Sequence, residues 1–147
     1  MAIINLNNNH LTPAQVLSAK DALTALETAL TIININLSAE DRKRYGSINE
    51  QNKLLVNKVM DYHNNQPNLQ TPHIDWIEYN NDYTSRNNLE SMIARLESLT
   101  TRLKNAKILH DYDNYQAALA DYAYTTFMAG TGTVGYETKM NDLKQFF

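Results

Sequence analysis

The chain has 147 residues, 43% of them apolar, with four glycines, three prolines and no cysteine. That length suits one domain, and scarce glycine and proline disfavour a strand-and-turn protein. A net charge of −3 leaves no electrostatic footprint for nucleic acid. No apolar run reaches the ~20 residues that span a bilayer, and without cysteine there is neither disulfide nor thiolate chemistry.

Residues 1–11 are rich in asparagine and are expected to form a flexible lead-in. They lack the basic start and apolar core of a signal peptide, so a cytoplasmic location is expected. Ile3, Ile4 and Leu6 are the side chains there that can dock. Thr12-Pro13-Ala14-Gln15 then starts a helix: Thr12 as N-cap, Pro13 at the first helical position, Gln15 closing a capping box. Val16, Ala19, Leu23, Leu26, Leu30, Ile33 and Leu37 alternate steps of three and four, which predicts a helix to about Leu37.

Ser38-Ala39-Glu40-Asp41 predicts a short helical turn to Tyr45, stopped at Gly46. Its Arg42, Lys43 and Arg44 are read as a solvated corner. Ser47-Ile48-Asn49-Glu50 has the form of another capping box and predicts a helix from Ile48 to about Asn64. Ile48, Asn52, Leu55, Val59 and Tyr62 make its stripe. Pro67 ends it.

The spine of the chain is predicted from Ile74 to His110. No glycine or proline interrupts it. Leu89, Met92, Leu96, Leu99, Leu103 and Ala106 form the seam of a bundle, with Leu99 expected in its core. At the usual rise such a helix spans roughly 50 Å. Its N-terminal half carries a different stripe, Trp76, Tyr79, Tyr83 and Arg86, and joining the two needs a change of register. Asp111 to Asn114 predicts a break, with Asp113 as N-cap of a further helix lined by Tyr115, Ala118, Leu119, Tyr122 and Thr126. Gly130-Thr131-Gly132-Thr133 stops that helix. A last short helix is predicted over about Tyr136 to Gln145, with Met140, Leu143 and Phe147 as its apolar face. No internal repeat or linker divides residues 12–147, which are expected to be a single helical-bundle domain. The expected fold is all-α: an up-down four-helix bundle with a long third helix and short extra turns.

In its corner Glu40-Asp41-Arg42-Lys43-Arg44, the segment Ser47 to Asn64, the link Asn65 to Pro72, the run Leu96 to Leu99 and the run Tyr115 to Leu119, the chain resembles a family of small bacterial helical-bundle proteins of unknown function. It departs from that family at Gly46-Ser47-Ile48-Asn49-Glu50, where relatives carry a Lys-Met-Gly-Asp-Lys type segment. It departs again at Asp113-Asn114, where relatives carry Gly-Ser-Glu. The resemblance implies the bundle and transfers no catalytic residue.

The search for chemistry is largely negative. The sequence has no Glu-x-x-His pair for a di-iron site, no P-loop and no Gly-x-Ser-x-Gly elbow. His63 and His73 flank the proline link and, with Asp61, are a minor zinc candidate. His110 suits the end of a helix. No catalytic residue and no cofactor is expected. The expected function is a non-enzymatic bundle acting through an unknown protein partner or through itself. The alternative is a small-molecule or metal-binding bundle, or an enzyme built on one, with a polar site at Trp76, Tyr79, Tyr83 and Arg86. There Arg86 either pairs locally with Asp82 or Glu90, or is presented to a ligand or partner.

Overall fold

Between His73 and Ala129 no glycine or proline interrupts the sequence, and the backbone is helical from Trp76 onward, two residues after the expected start at Ile74. The structure, a computed structural model, describes residues 4–147. Among the described residues it is all-helical, with no strand: α1 (Pro13–Ala29), α2 (Ala39–Tyr45), α3 (Glu50–Asn65), a 3₁₀ turn (Pro67–Leu69), α4 (Trp76–Gly130) and α5 (Tyr136–Lys144). The residues fall into two units that divide within α4. One holds the N-terminal segment and Ile93–Phe147; the other is Leu11–Met92.

In the Leu11–Met92 unit the local signals act as expected at two starts. The Thr12 hydroxyl accepts from Gln15 N, and Gln15 Oε1 accepts from Thr12 N. Ser38 caps α2 by accepting from Asp41 N. The third start differs by two residues. Asn49, not Ser47, caps α3, in a reciprocal pair with Asn52. The Ser47 hydroxyl instead donates to Arg44 O, closing the turn after α2.

The expected first helix is also too long. α1 stops at Ala29, and residues 33–38 are not helical. Its seam buries no residue, and Leu23, Ile33 and Leu37 are exposed. A helix without a covering partner depends on propensity. The run Thr31-Ile32-Ile33 is β-branched and lowers it. Thr31 also donates to Thr28 O, 2.6 Å away, at the helix end.

In the other unit α4 continues where a break was expected. Asp113 is not a cap; it lies inside the helix and is buried at 7% exposure. Asp and Asn favour turns because their side chains compete for nearby backbone. Here that competition is absent. The Asp113 carboxylate accepts from Leu6 N through both oxygens (3.0 and 2.9 Å) and from Asn7 N (3.0 Å). Asp111 pairs with Lys107 one turn earlier. The segment expected to be a lead-in is therefore strapped to α4 by its backbone. Its Ile4 and Leu6 side chains stay exposed, and Ile3 lies outside the described residues.

At the far end of α4, Gly132 and Gly135 take positive φ values of 77° and 91°, which open the turn into α5. α5 and the residues after it are held to α4 by the Lys139–Asp121 pair at 2.7 Å, the Tyr122–Phe147 stack at 4.7 Å and an edge contact between Tyr124 and Tyr136. Thr125, rather than the expected Thr126, is the buried residue of that face. Thr126 instead returns its hydroxyl to Tyr122 O.

Thr125 has 0% exposure and its hydroxyl has no hydrogen-bond partner. Burying such a group unpaired is unfavourable. Thr125→Val keeps the shape and removes the hydroxyl. It should stabilise the chain by about 1 kcal/mol, measured by denaturant unfolding.

Candidate functional site

The stripe Trp76, Tyr79, Tyr83 and Arg86 is half-buried along its length. Its geometry follows from the link before α4. Thr71 Oγ1 accepts from His73 N, and Asp75 Oδ1 accepts from Ile77 N and Glu78 N, so Asp75 caps α4. The Trp76 indole N–H donates to Thr71 O at 2.8 Å. One face of its ring lies on His63, with centroids 4.7 Å apart and planes within 7°. His63 Nδ1 also hydrogen-bonds with Gln70 Oε1.

Further along, the Tyr79 hydroxyl donates to Val56 O (3.0 Å) and the Tyr83 hydroxyl to Asn57 Oδ1 (3.1 Å). Residues 76, 79 and 83 thus meet residues 63, 56 and 57, which sets α3 antiparallel to the start of α4. Met60, the one buried apolar side chain among the described residues, lies on α3 here. Arg86 Nη2 stands 3.8 Å from Glu90 Oε2, one turn on. Of the two acids considered for it, the structure places Glu90 closest.

The charges at this end are local. Glu50 is held below its ordinary value mainly by its hydrogen bond to Lys53, then by the charges of Lys53 and, more weakly, Arg86. Burial pushes the Tyr79 hydroxyl above its ordinary value, and Tyr83 adds to the rise. The aromatic hydroxyls and the indole N–H are all directed to protein acceptors. Chemically the stripe is a polar clasp between two helices.

His63 is engaged by Trp76 and Gln70. Among the described residues no three His, Asp or Glu side chains are grouped as metal ligands. Against protein-family models, curated proteins and solved structures, the chain has no match.

A second polar place was not anticipated. In the unit formed by the N-terminal segment and Ile93–Phe147, a cavity of about 300 Å³ is lined by Asn5, Asn7, His10, His110, Asp113 and Asn114. His10 stacks on His110 with centroids 5.0 Å apart. Asn7 Nδ2 lies 3.2 Å from His110 Nε2. An amide nitrogen only donates, so that ring nitrogen accepts. The sequence does carry a signal for this place. His110 and Asp113 continue the three-four spacing of Leu96, Leu99, Leu103 and Ala106, and so stand as polar residues at seam positions.

Two outcomes follow. Asp113→Ala removes the acceptor of three charge-assisted bonds and should cost about 2–4 kcal/mol. It should also speed amide exchange at Leu6 and Asn7, which hydrogen-exchange measurements check. Tyr79→Phe should cost about 0.5–1.5 kcal/mol through its lost bond to Val56 O. Because the fold favours the neutral Tyr79 phenol, the unfolded chain ionises first. That part of the stability is complete below the unfolded value and is lost as pH rises through the folded one. Denaturant midpoints measured from about pH 8 to pH 11 should fall less in Tyr79→Phe than in the wild type.

Proposed function

We propose that the chain is a non-enzymatic helical module that works by protein–protein contact, through apolar helix faces that it leaves uncovered. One observation carries this reading. On α4, Leu96, Leu99 and Leu103 follow a heptad spacing and are 37%, 49% and 65% exposed. A continuous uncovered stripe of this kind marks an interaction surface more often than scattered apolar residues do. The open seam of α1, with Val16 and Leu23 exposed, supports the same reading.

On this reading the up-down four-helix bundle suggested by the stripes is completed between chains. The kinship with small bacterial bundle proteins belongs to the same proposal and rests on the cap and packing motifs. The aromatic clasp is structural. Its tyrosine hydroxyls are turned to α3, its indole N–H to Thr71 O, and Arg86 has Glu90 beside it.

Leu99→Ala should then change stability by under about 1 kcal/mol, because its side chain is already half in water. A photo-crosslinking residue at position 99 should give a discrete adduct in cells, with another chain or with itself. The same residue at position 101, on the opposite face, should give none. Equal adducts at both positions, or none at either, would remove the seam as a contact surface.

A further inference from the structure

The uncovered seam has edges, and the edges carry charge. With Leu96 and Leu103 at a positions and Leu99 and Ala106 at d positions, the g edge holds Arg95 and Arg102, one heptad apart. The e edge holds Ile93, Thr100 and Lys107. Lys107 is paired with Asp111 of its own helix. Arg95 and Arg102 are exposed and form no ion pair among the described residues. No acid stands on either edge from Ile93 to Lys107. In a chain with net charge −3, this face presents an apolar stripe flanked by two free guanidinium groups.

Such edges discriminate between occupants. A second copy docked parallel would set g against e: Arg95 would meet Thr100, and Arg102 would meet Lys107. Docked antiparallel, g meets g, and Arg95 would meet Arg102. Neither orientation supplies an opposite charge, and like charges across a seam disfavour the pairing. The seam also has a defined end. Beyond Ala106 come His110 and Asp113, which are held by the strap through Asn7 and Leu6.

Resting on the reading of the seam as a contact surface, we propose that its occupant is an amphipathic helix of another protein. That helix has leucine-type residues on its seam and Asp or Glu on the edge that faces Arg95 and Arg102. The leucine contacts supply the attraction, and the guanidinium–carboxylate pairs select the partner. Arginine suits this role because its planar fork takes a carboxylate through two parallel bonds.

The test uses the full chain and two synthetic helical peptides. Both carry leucine at every a and d position; one has glutamate at e and g, the other lysine. Fluorescence anisotropy should show the glutamate peptide binding at least about tenfold more tightly than the lysine peptide, with a preference that shrinks as salt rises. Arg95→Glu/Arg102→Glu should invert the preference, and Leu99→Asp should abolish binding of both. Should the glutamate-substituted chain fold poorly by circular dichroism, Arg95→Gln/Arg102→Gln should level the two peptides. Equal binding by the unaltered chain would overturn the charge selection. So would sedimentation showing a dimer that Leu99→Asp dissolves, although the contact reading would then stand with a second copy as occupant. Failure of both peptides, together with no crosslink at position 99, would remove the contact reading itself.

Discussion

The unbroken backbone of α4 is the constraint on which the described structure depends. A helix of 55 residues draws most of its stability from tertiary packing rather than from propensity. Something must grip it. In the Leu11–Met92 unit the grip is α3, through Trp76, Tyr79 and Tyr83. In the other unit it is the N-terminal strap at His110 and Asp113, and α5 at Asp121 and Tyr122. These grips are mainly hydrogen bonds, an ion pair and ring contacts. Among the described apolar side chains only Met60 is fully buried, and many others are half-buried. A chain so composed leaves much apolar surface in water. The seams of α1 and α4 leave apolar side chains exposed, and the contact reading proposed above rests on that exposure.

The local signals were legible in the sequence, and the distant ones were not. Thr12 and Ser38 cap their helices through residues three positions away, so reading the sequence suffices. The start of α3 lies two residues beyond the Ser47 signal because Ser47 and Asn49 are both good caps, and the turn through Arg44 decides between them. α1 is shorter than its spacing predicts: a three-four spacing outweighs a β-branched run only when the seam is covered, and this seam buries no residue. At Asp113 the rule that aspartate marks a turn failed. The groups that satisfy its carboxylate are 106 and 107 residues away in sequence. No window of sequence contains both.

The aromatic stripe shows the same division. Its membership and its placement on one face were readable from spacing alone. What it meets was not. Tyr79 selects a backbone carbonyl at Val56 and Tyr83 an amide at Asn57, and neither acceptor is marked by its residue type as a partner for tyrosine. The local ion pair of Arg86 was readable because Glu90 is one turn away.

His110 and Asp113 give the seam its logic. Polar residues at a and d positions ordinarily weaken a coiled coil while fixing its register. Here they are satisfied by the chain's own N-terminal segment, so no outside partner is needed to satisfy them. A partner helix advancing along the seam from Leu96 would meet leucine, leucine, leucine and alanine, and then a layer already hydrogen-bonded to Leu6 and Asn7. To go further it would have to displace three bonds to a buried carboxylate and leave that charge unpaired, which is strongly unfavourable. The strap thus occupies Asp113 and His110 within α4, and on the proposed contact it also sets where a partner helix would stop.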